Sequence, residues 1–220
     1  MNHNRLLNTY LAVSVIYLIG LLIFSENFNF FAKPLLLPWL FMAVMIFPTK
    51  HNKFWLYLAL MFSWIGDVVL LFANFNPLYF ILGLISFLLA HIIYIIAFKK
   101  ITNGYHPQKK MPIVIFLLLL AYLIFMWIIL MPTLGALKIP VIIYSIVITC
   151  MLATAIYVDT IINSVASKWL IIGAISFVIS DSLLAFNKFH TPFAFASIAI
   201  MSTYLFAQYA LVRGFLKFWS

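Results

Sequence analysis

Two aspartates lie inside apolar runs that are long enough to cross a membrane, and their surroundings are closely alike. Asp67 lies in the run Ser63–Phe72, and Asp181 lies in the run Phe177–Phe186. The whole chain has only four acidic residues, so two at this depth are informative. A carboxylate in a bilayer is costly unless it is paired, protonated or hydrated, and such residues usually mark a pathway or a reaction site.

The chemistry open to this pair is acid–base chemistry. At a rise of 1.5 Å per residue, both Asp67 and Asp181 lie roughly 8–9 Å from the same ends of their runs, so they could meet. Two neighbouring carboxyl groups in a low dielectric cannot both stay ionised, which would leave one general acid and one general base. In the simpler alternative, each aspartate only forms hydrogen bonds to a neighbouring helix.

Other polar residues at membrane depth could complete a site. His91 and Tyr94 lie three residues apart and share a helical face, so His91 could orient water, relay a proton or pair with an aspartate. Alternatively, a neutral His91 only joins two helices. Further candidates for lining a polar cavity or binding a phosphate are Tyr144, Tyr204, Gln208, Lys33 and Lys188. For the two lysines, the alternative is that they extend to the membrane interface.

The composition identifies the class of protein. Hydrophobic residues make up 67% of the chain, charged residues 8%, and the mean hydropathy is +1.18, whereas soluble domains are about half apolar and about a quarter charged. We therefore predict one integral membrane domain over residues 1–220. The net charge of +9 comes from single or paired basic residues between apolar runs, which does not favour nucleic-acid binding. Cys150 is the only cysteine, and we expect no metal and no cofactor.

The apolar runs predict the elements that would position these residues. They are continuous rather than alternating, which in lipid indicates helices, so we predict an all-α bundle of eight transmembrane helices. The first run is interpreted as a span rather than a signal peptide. The second run contains Pro38 and is long enough only if Phe30–Pro34 belongs to it. The runs fall at about 6–24, 35–48, 54–73, 78–98, 111–131, 138–158, 167–186 and 192–212.

Charge predicts the orientation. With eight spans, ten of the thirteen basic residues fall on the side that holds both termini and three on the other, so both termini should be cytoplasmic. We expect a multi-pass protein of a bacterial inner membrane. Matching Asp67 with Asp181 gives a 4+4 internal repeat, while a second alignment matches Gly83–His91 with Gly173–Asp181 in the opposite direction. Both alignments stay open, and weak internal symmetry is common in transporter folds.

Five motifs, taken in order, resemble those of the YhhN family of membrane proteins, which includes the lysoplasmalogenases. Each motif is centred on a polar residue, and together they cover about residues 30 to 210. The motifs are Lys33-Pro34, Ser63-x2-Gly66-Asp67-x2-Leu70, Gly83-x3-Phe87-x2-Ala90-His91-x2-Tyr94, Gly173-Ala174-x2-Phe177-x2-Ser180-Asp181 and Tyr204-x2-Ala207-Gln208.

The resemblance implies a lysophospholipid substrate in addition to bilayer lipid. Eukaryotic members hydrolyse the vinyl ether of lysoplasmalogens to a fatty aldehyde and a glycerophospho-base, whereas many bacterial members have no assigned substrate. This chemistry needs an acid to protonate the β-carbon and a carboxylate to stabilise the resulting cation, as in glycosidases. We predict that Asp67 and Asp181 form this pair, that His91 and Tyr94 orient water or the leaving oxygen, and that Lys33 holds the phosphate.

Two other classes of function stay open at this point. A proton-coupled transporter or flippase would also need polar groups near the middle of the membrane, and a non-catalytic membrane protein could have a polar core. Which aspartate would be the acid is also open.

Overall fold

The computed structural model describes residues 3–24, 26–106 and 110–220, with the side chains of residues 26 and 27 left out of the description. In this part of the chain every regular element is a helix, which confirms the all-α prediction. The α-helices are α1 His3–Ile23, α2 Glu26–Ala32, α3 Leu37–Ile46, α4 Phe54–Leu70, α5 Pro77–Ile101, α6 Ile113–Leu130, α7 Lys138–Ile162, α8 Val165–Phe189 and α9 Ala196–Trp219.

The helices follow the eight predicted runs, with the second run divided between α2 and α3. Within the described residues, six segments are long and apolar enough to cross a membrane, so the chain is a multi-pass integral membrane protein. The shorter α4 has 17 residues, and α9 has 24 residues with more polar side chains. The count of eight spans, the cytoplasmic termini and the internal repeat stay predictions. The predicted loop charge Lys109 lies outside the described residues.

Two prolines break the second segment into pieces. Proline has no backbone N–H and fixes its own φ, so it is tolerated only near the start of a helix. Pro34 accordingly lies in a 3₁₀ turn, Lys33–Leu35, and Pro38 lies in the first turn of α3. The pieces together form one membrane-length segment, Phe28–Ile46, which confirms that the residues before Pro34 belong to it.

Glycines allow α4 and α5 to pack closely. A Cβ atom on Gly66 would lie 2.7 Å from the ring of Phe87, and one on Gly83 would lie 2.6 Å from the side chain of Leu70. Small residues bring helix backbones together in membranes, where packing replaces the hydrophobic effect as a driving force. The contact fixes the position of α4 relative to α5, and with it the backbone of Asp67, which follows Gly66.

The α8–α9 pair is built in the same way. A Cβ atom on Gly173 would lie 2.9 Å from the backbone nitrogen of Leu211, and one on Gly214 would lie 2.5 Å from the side chain of Leu170. Since a Cβ atom on Gly173 would meet the backbone nitrogen of Leu211 as well as its side chain, rotation of that side chain alone could not relieve the contact. All four helices of these two closely packed pairs carry candidate polar residues, namely Asp67 on α4, His91 on α5, Asp181 on α8 and Tyr204 on α9.

Ring contacts define one end of the bundle, here called the basic end. The centroids of His3 and Phe47 lie 4.7 Å apart, and those of His51 and Trp219 lie 6.5 Å apart. The start of α1, the α3–α4 connection and the end of α9 therefore meet there. At the opposite end, the rings of Phe80 and Phe189 lie 5.6 Å apart.

The α7–α8 connection contains a third acidic residue. Asp159 follows the predicted run 138–158 and would be interpreted as a loop charge in the sequence, but it lies in the last turn of α7, where it accepts a hydrogen bond of 2.5 Å from Ser167 Oγ. Ser164 and Ser167 form a reciprocal capping box at the start of α8. This carboxylate therefore stabilises a helix connection.

We expect Gly173→Ala to lower the free energy of unfolding by about 1–3 kcal/mol, the usual effect of overpacking a filled contact. The added methyl group would meet the backbone of α9, which cannot rotate away. The measurement is the unfolding midpoint in detergent. The neighbouring Ile172→Ala is the control, because Ile172 is 43% exposed. Equal stability of the two variants would contradict the close contact.

Candidate active site

Asp67 is buried and both of its oxygens have partners. Lys33 Nζ lies 3.2 Å from Oδ1, and Tyr204 OH donates a hydrogen bond of 2.6 Å to Oδ2. The Asp67 side chain is only 3% exposed, so it meets the requirement that a buried charge be both paired and hydrogen-bonded. This group is called the Asp67 network.

The broken second segment positions Lys33 on Asp67. The indole Nε1 of Trp64 donates a hydrogen bond of 2.8 Å to the carbonyl oxygen of Pro34, the residue after Lys33. Trp64 and Asp67 lie three residues apart on α4, so they share a face of that helix. The 3₁₀ turn is thus attached to α4 beside the carboxylate that Lys33 neutralises.

The Asp67 network continues into α5 and α9. Gln208 Nε2 lies 3.4 Å from Tyr204 OH, one turn earlier on α9, and this is a weak hydrogen bond. Tyr94 OH donates to Gln208 Oε1 over 2.8 Å. The predicted residues Tyr94, Tyr204 and Gln208 therefore act on Asp67 in sequence, each orienting the next.

Asp181 has a different set of partners, here called the Asp181 network. Tyr144 OH donates a short hydrogen bond to Asp181 Oδ2, and His91 Nε2 lies 3.2 Å from the same oxygen. His91 Nε2 is also 3.0 Å from Tyr144 OH. No hydrogen bond to Oδ1 is found within the described residues, and the Asp181 side chain is 14% exposed.

The surroundings of His91 select one tautomer. Its Nδ1 is buried and has no hydrogen-bond partner among the described residues, whereas Nε2 faces two oxygen atoms. A hydrogen on Nε2 can be donated to Asp181, while a hydrogen on Nδ1 would be buried without an acceptor, which is costly. The geometry therefore fits an imidazole that carries its hydrogen on Nε2.

Two phenylalanine rings connect the networks. Phe177 packs edge-on against His91, with centroids 4.6 Å apart, and against Tyr204, at 5.5 Å. Phe87 contacts Tyr204 at 5.8 Å and Phe177 at 6.4 Å. The two carboxyl groups thus belong to one aromatic-walled region, but each has its own hydrogen-bond partners and they share none.

Two cavities border this region, one apolar and one more polar. The narrow cavity, of about 40 Å³, has Asp181 and Tyr144 in its wall among apolar side chains of α4, α5, α7 and α8. The wide cavity, of about 550 Å³, is lined by Lys33, with Asn29 and Asn74. A buried water needs about 10–15 Å³, so even the narrow cavity has room for water. Leu70, the last residue of α4, lines both.

One predicted binding residue lies outside both networks. Lys188 Nζ lies 5.2 Å from the centre of the Phe80 ring, and Phe80 lines the narrow cavity. The eight other predicted residues fall in the two networks. Their catalytic and binding roles stay predictions.

The structure also adds residues that the sequence interpretation missed. Asn29, which accepts a hydrogen bond of 2.6 Å from Tyr17 OH, and Asn74 line the wide cavity. Tyr122 OH lies 2.7 Å from the Oγ of Ser182, the residue next to Asp181. The asparagines lie at the ends of apolar runs, where polar residues are common and give no distinctive pattern. Adjacency to Asp181 was the only indication for Ser182.

Comparisons with known proteins confirm the family that the sequence motifs indicated. The model of the YhhN family matches residues 28–215. Lysoplasmalogenases of Mycobacterium bovis and Mycobacterium tuberculosis are 27% identical over 178 residues, which is 79% of this chain and 64% of theirs. The human lysoplasmalogenase TMEM86B is 28% identical over 159 residues, 72% of this chain and 62% of its own. The match thus spans less than two thirds of each relative. No solved structure matches the chain.

We expect Lys33→Met to destabilise the protein by about 3 kcal/mol or more, because it leaves Asp67 as a buried charge without its cation. Replacing both partners, in Lys33→Met/Asp67→Leu, should recover most of this loss. Unfolding midpoints in one detergent provide the measurement. Lys188→Met is the matched control, since Lys188 has no carboxylate partner among the described residues. The ion pair would be dispensable if the two single variants were equally stable.

Proposed function

Since the chain belongs to the YhhN family, we propose that it is a membrane-embedded hydrolase that cleaves the vinyl ether bond of lysoplasmalogens. The products would be a fatty aldehyde and a glycerophospho-base. Distant homology to lysoplasmalogenases supports the reaction class. We also propose that the protein lies in a bacterial inner membrane.

One observation carries the proposal, namely that Asp181 lies in the wall of an apolar cavity with one oxygen bonded and the other without a partner. Tyr144 and His91 both act on Oδ2, which a protonated carboxyl group can still offer as a carbonyl oxygen. A proton on Oδ1 would then have no acceptor within the described protein and would be available to a substrate in the cavity. This arrangement suits a general acid.

The proposed reaction begins with transfer of that proton. Asp181 protonates the β-carbon of the vinyl ether, and the electron pair of the double bond forms the new C–H bond, which leaves an oxocarbenium ion. The Asp181 carboxylate so formed lies beside the cation and removes a proton from the water that attacks the α-carbon. The hemiacetal then passes its hydroxyl proton to the ether oxygen and breaks into aldehyde and alcohol. Atoms and charge balance with water as the only co-substrate.

The two cavities suit the two halves of such a lipid. The phosphate end would occupy the wide cavity, where Lys33 provides a cation beside Asn29 and Asn74. The vinyl-ether end of the alkenyl chain would enter the narrow cavity, and the rest of the chain would extend between the helices toward the bilayer. Since Leu70 lines both cavities, a substrate that extends past it would place its ether region between the two halves, near Asp181.

In this proposal the two aspartates have different roles. Both oxygens of Asp67 are bonded and its side chain is less exposed than that of Asp181, so it is a positioning residue that acts through Lys33. A phosphate group that binds Lys33 would compete with Asp67 for the same cation. While the phosphate group displaces Lys33 from Asp67, the carboxylate would keep its hydrogen bond to Tyr204, which Gln208 and Tyr94 orient.

His91 and Tyr144 orient the acid. Their hydrogen bonds to Oδ2 keep Oδ1 on the cavity side, and both donors can stabilise negative charge on Asp181 after it has given up its proton. Lys188 lies beside Phe80, which lines the narrow cavity, so any contact of Lys188 with the substrate would be at that cavity and not at the head group.

We expect Asp181→Asn to lower kcat by about 10²–10⁴-fold, the usual contribution of a general acid or base. Asp67→Asn should change KM more than kcat, because Asp67 acts through Lys33. Aldehyde release from a lysoplasmalogen by the purified protein is the measurement. Asp159→Asn is the matched control, a carboxylate in the α7–α8 connection, and should keep the wild-type kcat. A fully active Asp181→Asn variant would exclude the mechanism.

The bond that is cleaved identifies the reaction. Lysophospholipids with a vinyl-ether, an alkyl-ether or an ester link should be compared at equal head group and chain length. We expect aldehyde from the vinyl ether alone, because only a vinyl ether forms an oxocarbenium ion on protonation of carbon. If no lipid is hydrolysed, but reconstituted protein moves a lipid across liposomes under a proton gradient, the protein is a transporter.

A further inference from the structure

We propose a second phosphate-binding site at the basic end of the bundle, formed by Arg213 and Lys217 of α9. A pocket of about 300 Å³ lies there between the start of α1 and the last turns of α9. Arg213 and Lys217 line it together with His3 and the apolar side chains of Leu7 and Phe47. The chemical class of the ligand is a phosphate group, with an anionic phospholipid as the expected source.

The side chain of Arg213 is fixed by its neighbours, but some of its N–H donors form no hydrogen bond in the described part of the chain. Its Nη1 donates a hydrogen bond of 2.7 Å to Tyr209 OH, and its guanidinium carbon lies 5.1 Å from the Trp169 ring centre and 5.7 Å from that of Tyr209. Its Nε is buried and has no hydrogen-bond partner within the described residues. An arginine has five N–H donors in a planar fork that matches a phosphate group, so this one is positioned but incompletely bonded.

The charges in the pocket lack a counter-ion. Neither Arg213 nor Lys217 has a carboxylate within 4 Å in the part of the chain that the structure describes. The two cations lie four residues apart on one face of α9, where like charges repel each other. An anion between them would remove this repulsion and could accept hydrogen bonds from the Nη donors of Arg213 that Tyr209 leaves unused.

The position of the pocket favours a lipid as the source of the phosphate. Its apolar members Leu7, Phe47 and Leu216 are buried and contribute little open surface. A pocket of this kind suits a head group whose chains remain in the bilayer. The basic end is the predicted cytoplasmic side, where anionic lipids attract basic residues. The site lies at the opposite end from Lys33, so it does not depend on the proposed hydrolysis.

The test compares lipid retention by the full chain, purified in a neutral detergent, by native mass spectrometry. We expect the wild type to retain phosphatidylglycerol in preference to phosphatidylcholine of the same chain length. Arg213→Gln/Lys217→Gln should weaken this retention by roughly thirtyfold, at about fivefold for each cation removed near the membrane surface. Lys50→Gln/Lys168→Gln is the matched control, since it removes the same charge outside the pocket.

A second arm identifies the source of the phosphate. Inorganic phosphate is added without lipid, and the unfolding midpoint is recorded for the same variants. Stabilisation of the wild type but not of Arg213→Gln/Lys217→Gln would support the site with a soluble phosphate as its ligand. Equal loss of lipid by both double variants, or a wild type that neither prefers phosphatidylglycerol nor is stabilised by phosphate, would overturn the proposal. The variant Arg213→Lys keeps the charge and should retain part of the lipid binding. It controls for the possibility that the double variant loses lipid because it is misfolded.

Discussion

The ion pair between Lys33 and Asp67 is the contact around which the polar interior is arranged. It joins the broken second segment to α4, while Tyr204 brings α9 to the same carboxylate and Gln208 extends the connection to Tyr94 on α5. The hydrocarbon core of a bilayer offers no water to unpaired polar groups, so each of these side chains must find its hydrogen-bond partner in the protein. The prolines that interrupt the second segment lie in the 3₁₀ turn and the first turn of α3, and Lys33 reaches Asp67 from this break.

The carboxyl group of Asp181 differs from that of Asp67 in having no lysine beside it among the residues that the structure describes. His91 and Tyr144 both act on Oδ2 of Asp181. The two carboxyl groups therefore differ in what they leave free, because both oxygens of Asp67 are bonded, whereas Oδ1 of Asp181 has no partner in the described part of the chain. The aromatic rings of Phe87 and Phe177 pack between the two networks and contact members of both.

Much of this arrangement could be predicted from the sequence. The apolar runs predicted the helices, and polar residues that stood out against an apolar background predicted eight members of the two networks. The pairing could not be predicted, because it depends on which helix faces pack together. That choice is made by contacts such as Gly66 on Phe87 and Gly173 on Leu211, and glycines are not distinctive in membrane helices. Asn29 and Asn74 became visible only when the helix ends met around the wide cavity.

The position of Leu70 has a consequence for the two products of the proposed reaction. Leu70 lies between the wide cavity, which Lys33 and two asparagines line, and the narrow cavity, whose lining is mostly apolar. The two fragments of a cleaved lipid would therefore lie in surroundings of different polarity. The polar fragment would leave toward water and the aldehyde toward the membrane interior. Such sorting would keep the fragments from recombining, and it would deliver a reactive aldehyde directly into the bilayer, where membrane-bound enzymes could consume it.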